Sequence, residues 1–231
     1  MGRNSYTLTV QRGFFPRICN EFSLMEFKVL LYCMFKTYSE GNIGGKCEFD
    51  FYEFHHIAGL KTDSHTDVRR ILEKMADRRI IVKHNVVLFN DIVTAGHNTY
   101  FSLHKDMEAV FKVTDKPAVF NVKNLLLMKS KHSMRLYILI YDISDINKDR
   151  QQFAVVYKDG NQDDICFLLS DSGIVPSSWT EFKYFKRNVL KHAVDEINKL
   201  MDMDLTYTPK RETVSGKKTG SVSSIVFGVN M

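Results

Sequence analysis

One stretch, residues 178–200 (SWTEFKYFKRNVLKHAVDEINKL), constrains the fold of this 231-residue chain more than any other. Ser178 followed three residues later by Glu181 spells a capping box, which predicts one long helix starting there. Phe182, Phe185, Val189, Ala193 and Ile197 recur at helical spacing and define a face that must meet a core. Lys183, Arg187 and Lys191 follow one another at i+4 steps, with Lys186 and Asn188 beside them, and no acidic residue interrupts the run. Beyond the helix, residues 204–207 and 222–229 alternate as two strands. The loop joining them carries Lys210, Arg211, Lys217 and Lys218. A basic helix followed by a basic hairpin suits a helix in a DNA groove and a wing on the phosphates.

A row of lysines on a helix is most often a solvated face. What favours DNA is the second cluster on the hairpin, and the layout of the remaining chain. Its net charge of +5 and pI near 8.9 suit an anionic partner without requiring one, and 44% hydrophobic residues are enough for ordinary cores. The four cysteines form no CxxC pair and no cluster with histidines, which fits a reducing compartment. No secretory signal is legible, and the apolar runs at 29–35 and 136–141 are far too short to span a bilayer. Met1-Gly2 begins like a myristoylation site, but Tyr6 stands where Ser or Thr is needed. A soluble, cytoplasmic protein with no membrane partner is expected.

In the first half, residues 1–20 read as a polar arm in which Tyr6, Leu8 and Val10 alternate as a strand. Ser23 with Glu26 is a second capping box, opening a helix buried through Phe27, Leu30, Leu31 and Met34. Asp50 with Glu53 caps a shorter helix through Ala58, closed by Gly59 as a left-handed residue. In the basic helix that follows, Val68, Ile71, Leu72 and Met75 make the core stripe, while Thr66, Arg69, Arg70 and Lys74 point elsewhere. That is a helix-turn-helix pattern. Residues 80–89 are β-rich and TAGHN (94–98) is a turn before 100–103, so a less basic hairpin follows.

Asp115-Lys116-Pro117 breaks the pattern, and the domain boundary is placed there. In the second half, 122–128 and 133–143 read as helices, Phe153, Val155 and Tyr157 as a strand, and 163–169 as a compact helix before the long basic one. Each half runs helices, turn, basic helix, hairpin. The expected fold is therefore α+β, with two tandem winged-helix domains at 1–114 and 115–231, alike in pattern though not in sequence.

KSKHSMRLYILI (129–140), FKRNVLKHAVDEIN (185–198), Asp204-Leu205 and SIVFGV (224–229) resemble the initiator Rep proteins of theta-replicating plasmids. The family's Arg-Leu-Tyr helix is matched by Arg135-Leu136-Tyr137, and its Ala-x-x-Glu-Ile-Asn ending by Ala193, Glu196, Ile197 and Asn198. Where the family has Gly-Arg-Lys in the wing, this chain has Gly216-Lys217-Lys218, in a longer hairpin. The likeness covers most of the second half, and in the first half it rests on layout. It implies a non-enzymatic initiator that binds repeated origin sites, promotes duplex opening and recruits host replication proteins such as a helicase or host initiator. It also implies a monomer–dimer equilibrium, with the first domain forming the dimer and the dimer repressing its own gene at an operator. The strand-like segment 86–93 is the expected dimer contact, tested through Val87 and Leu88.

On this reading Lys183, Lys191, Lys210, Arg211, Lys217 and Lys218 contact phosphates, with Lys186 and Lys74 as further DNA contacts. Arg187, Asn188, Thr66, Arg69 and Arg70 face base edges, since Arg pairs with guanine and Asn with adenine. Two such helices would enter successive major grooves about 34 Å apart. Three other readings compete. A rolling-circle nicking enzyme needs a metal-binding histidine pair flanking one apolar residue, whereas His55 and His56 are adjacent and point apart. A membrane-surface or partner-binding helix would not need the following hairpin. A dedicated winged-helix repressor shares every feature except the initiation role. The scattered aspartates match no calcium loop and no glycine-rich phosphate loop is present, so no metal or cofactor is expected.

Overall fold

The structure, a computed structural model, describes residues 6–61, 65–76, 79–80, 86–96, 98–112, 117–144, 150–159, 161–201, 203–214 and 217–230. Side chains at 79–80, 86, 212–214 and 217–220 are outside the description. The chain divides into two compact units, Met1–Ile18 with Phe22–Leu127, and Cys19–Glu21 with Met128–Met231.

The first unit runs β1 (Thr7–Val10), α1 (Phe14–Ile18), α2 (Leu24–Ser39), β2 (Cys47–Glu48), α3 (Phe51–Ala58) and α4 (His65–Ala76). It continues through the short pair β3 (Arg79–Ile80) and β4 (Val86–Val87), then β5 (Phe89–Ala95), β6 (Asn98–Leu103), α5 (Glu108–Phe111), β7 (Ala118–Asn121) and α6 (Val122–Leu127). Ser23 caps α2 as a full capping box: its hydroxyl accepts from the Glu26 amide, and the Glu26 carboxylate accepts from the Ser23 amide. Asp50 caps α3, and Gly59 closes it at φ 62°, a left-handed conformation a side chain would strain. Leu8 and Val10 of the arm are buried, because β1 pairs antiparallel with β7. Thus β7 and α6, which follow the break expected after residue 114, pack with the first unit. The core gathers aromatics around Tyr32, whose ring lies 4.9 Å from Phe49 and 5.4 Å from Phe54.

The second unit runs α7 (Lys131–Ile143), β8 (Arg150–Val156), α8 (Ile165–Leu169) and α9 (Phe182–Phe185). A π turn over Lys186–Leu190 leads into α10 (Lys191–Leu200), β9 (Asp204–Val214) and β10 (Lys217–Asn230). The helix expected from Ser178 begins at Phe182 instead. Residues Ser177–Thr180 form a separate 3₁₀ turn after Pro176, and no side chain caps α9. The physical reason is Trp179, which is buried against Phe185 at 5.2 Å, with its carbonyl accepting the Tyr157 hydroxyl at 2.5 Å. Burying that ring fixes the backbone of residues 177–180 in the tighter turn, and Glu181 pairs with Lys183 at 2.9 Å instead of capping.

Both units share one topology. A strand between two helices (β2 between α2 and α3, β8 between α7 and α8) pairs with the last strand of the hairpin (β6 or β10), giving sheet orders β2-β6-β5 and β8-β10-β9. Helix α4, or the run α9–α10, precedes the hairpin in each. These are two winged-helix folds in an α+β chain, as the pattern predicts.

Candidate nucleic-acid interface

In the second unit the helical row Phe185, Val189, Ala193 and Ile197 is buried. In an unbroken α-helix, successive i+4 steps drift by about 40° each, so three would carry a row roughly a third of the way round. The π turn, in which the Lys191 amide bonds back to the Lys186 carbonyl, takes up about one extra residue and realigns the row. The same turn keeps Lys183, Arg187 and Lys191 together on the opposite, exposed face. Lys186, Arg187 and Asn188 lie within it and are exposed. Arg187 Nε donates to Asn188 Oδ1 at 3.1 Å, so the two proposed base readers are joined to each other.

Tyr184 organises the cations beside it, with Lys183 Nζ 4.6 Å and Arg187 Cζ 5.5 Å from its ring. Lys183 also donates to Glu181, which raises its pKa and keeps it charged. Lys186 lies 6.0 Å from the ring of Tyr207 on β9. Between the start of the helix and the wing runs a cleft of about 660 Å³, bounded by Lys158, Lys183, Lys186, Arg211, Phe182 and Ser221. Four cations thus meet one acid, Glu181. Lys210 is exposed on β9 beside Arg211. Lys217 and Lys218 pair in backbone with Val214 and Thr213, and their side chains lie outside the described ones.

The motif residues outside the basic row are structural. Glu196 accepts from the Lys129 and Ser130 amides at 2.7 and 3.1 Å, and so ties α10 to the start of α7. Arg135, 3% exposed, donates to the carbonyls of Cys19, Leu169 and Ser170 and to the Asp171 carboxylate.

In the first unit Val68, Leu72 and Met75 are buried and Ile71 is half-buried, while Thr66, Arg70 and Lys74 are exposed. Arg69 is half-buried, its guanidinium 5.5 Å from the Phe51 ring. Arg70 pairs loosely with Asp67 at 3.7 Å. Thr66 and Arg69 join Lys36, Tyr52, His65 and Asn98 around a cleft of about 600 Å³, but Glu40, Glu48 and Asp50 share it. The charge there is mixed. His55 is buried and stacked on His65 at 4.4 Å, while His56 is exposed. Leu88, expected at a dimer contact, is fully buried, so Leu88→Glu would damage the core. Val87 is half-buried.

Lys158 and Tyr207 belong to the second surface without a place among the sequence candidates, and Tyr184, in the sequence only an available hydroxyl for a nicking enzyme, joins them as a ring beside the cations. Tyr184 was legible through its i+3 spacing to Arg187, but nothing local marks Lys158. Among the described residues no group of three or more His, Cys, Asp or Glu is placed to hold a metal. No described helix is long and apolar enough to cross a membrane.

No curated protein matches the chain. Over its full length it is similar to a solved structure described as the Pi initiator protein in complex with iteron DNA, with TM-score 0.77 and 14% identity, covering 100% of this chain and 99% of that one. At that identity the likeness speaks for the fold. Residues 16–141 match the family model for "Initiator Replication protein, WH1", and residues 163–229 match "Initiator Rep protein, WH2". With matches to both winged-helix domains over most of its length, the chain belongs to the initiator Rep protein family.

Proposed function

We propose that the protein binds duplex DNA at repeated sites in a plasmid replication origin, promotes opening of the adjoining duplex and recruits host replication proteins. At an operator it represses its own gene. One observation carries the DNA reading: Lys158, Lys183, Lys186 and Arg211 surround the cleft between recognition helix and wing, with a single acid among them. A phosphate backbone passing through that cleft would meet helix and wing together. Family membership points the same way, as does the iteron DNA bound by the Pi initiator of the same fold. Lys183, Lys191, Lys210, Arg211, Lys217 and Lys218 are assigned to phosphates, and Arg187 with Asn188 to bases. Lys186 joins the second unit's contacts. Thr66, Arg69, Arg70 and Lys74 give the first unit a lesser share, because acids accompany its cleft.

The reading is non-enzymatic. The stacking of His55 on His65 argues against a histidine metal pair for strand nicking, so supercoiled plasmid incubated with the protein and Mg²⁺ should stay intact. The deciding experiment is DNase footprinting on DNA flanking the gene at two salt concentrations. Protection of several direct repeats, weakening with salt, is expected. A single protected inverted repeat would replace the initiator by a dedicated repressor, and no footprint at low salt would overturn DNA binding.

A further inference from the structure

Asn198 lies near the end of α10, on the same helix as the basic row, and its position is exposed. An exposed asparagine on a recognition helix invites assignment to a base. Its hydrogen bonds say otherwise. Nδ2 donates to the Leu205 carbonyl at 2.9 Å, and Oδ1 accepts from the Leu205 amide at 2.8 Å. The side-chain amide thus occupies both backbone groups of one residue, as a neighbouring strand would. Leu205 is the second residue of β9, and β9 is the edge of the sheet β8-β10-β9. The outward groups of an edge strand would otherwise face water. Leu205 itself is buried, which keeps the clamped backbone against the core.

We infer that Asn198 is a positioning residue that fixes the angle of the wing to the recognition helix, so that wing cations and helix cations reach the same DNA backbone. This rests on the DNA-binding function proposed above. Leu205 follows Asn198 by only seven positions, yet within them α10 ends at Leu200 and β9 begins at Asp204. Without the clamp that connection has more freedom, and Arg211, further along β9, would lose its fixed place on the cleft it shares with Lys183 and Lys186. An amide, not a carboxylate, is required, because the site needs one donor and one acceptor.

The test compares five proteins on one origin repeat across a salt series: wild type, Asn198→Ala, Asn198→Asp, the wing variant Lys210→Ala/Arg211→Ala/Lys217→Ala/Lys218→Ala, and the wing variant combined with Asn198→Ala. Each is first checked for folding by near-UV circular dichroism. The slope of log affinity against log salt counts the phosphates contacted. Asn198→Ala is expected to stay folded, bind at least tenfold more weakly and show the shallower slope of the wing variant. The combined variant should bind no worse than the wing variant alone, because the clamp acts through the wing. Asn198→Asp, which keeps the acceptor and loses the donor, should recover only part of the loss. A wild-type slope in Asn198→Ala, a wild-type slope in the wing variant, or additive losses in the combination would each overturn the clamp. Failure of the wild type itself to bind would instead overturn the parent DNA-binding reading.

Discussion

Arg135 lies inside the second unit, where a charge is costly unless its donors are satisfied. They are: three backbone carbonyls between 2.7 and 3.0 Å and one oxygen of Asp171, which also binds Lys131. Burial itself would raise the pKa of Asp171, but the hydrogen bonds and charges of Lys131 and Arg135 bring it below the usual carboxylate value. Arg135→Ala would remove the guanidinium donors from the Cys19, Leu169 and Ser170 carbonyls and from Asp171. We expect a loss of about 1–3 kcal/mol by urea unfolding, of which Arg135→Lys, lacking the planar fork, recovers only part. Nearby, His132 donates Nδ1–H to the Leu169 carbonyl at 3.1 Å and packs edge-on against Trp179. Burial lowers its pKa from 6.5 to about 4, despite the opposing pull of that carbonyl. The depressed value means that the unfolded chain takes up the proton first. Stability is therefore whole above pH about 6.5, and falls as pH drops from there towards 4, by up to about 3 kcal/mol. His132→Gln should flatten that fall in denaturation curves measured between pH 7 and 5.

At the scale of elements, the recognition helix shows both what sequence can reveal and what it hides. Its i+4 rows were plain in the letters, and so was its basic face. The π turn that lets those rows run straight was not, because it depends on packing Phe185 and Val189 into one core. The false start at Ser178 has a different origin. Ser-x-x-Glu is the right spelling for a capping box, but burial of Trp179 takes precedence over a cap worth about 1 kcal/mol. The turn also presents Arg187 and Asn188 as a bonded pair, so each orients the other. Arg187→Ala should weaken binding to the specific site by about 1–3 kcal/mol and relax specificity at one base pair. Binding measured on specific and random duplexes decides it: equal losses on both would make Arg187 a phosphate contact.

At the scale of the whole molecule, two winged helices were legible because their signals are local. Ser23 with Glu26, Asp50, Gly59 and the alternation after residue 203 each speak within a few residues. What holds the elements together was not legible. Arg135 reaches Cys19 across 116 positions, and Glu196 reaches Lys129 across 67; no spacing rule covers such distances. The resemblance had marked Arg135, Glu196 and Asn198 as motif residues, and the structure shows that they join helices, loops and wing while the cations between them stay on the surface.

The sheet orders β2-β6-β5 and β8-β10-β9 have a consequence for synthesis. In each sheet the central strand is the last of the three to leave the ribosome. Until β6 emerges, β2 and β5 have no common partner, and until β10 emerges, neither have β8 and β9. Each unit therefore closes its sheet in a single late event, and the first can do so while the second is still being made. A growing chain holds its basic helix well before it holds a wing fixed beside it, so a nascent or interrupted copy would carry the charge without the shape that gives the charge an address.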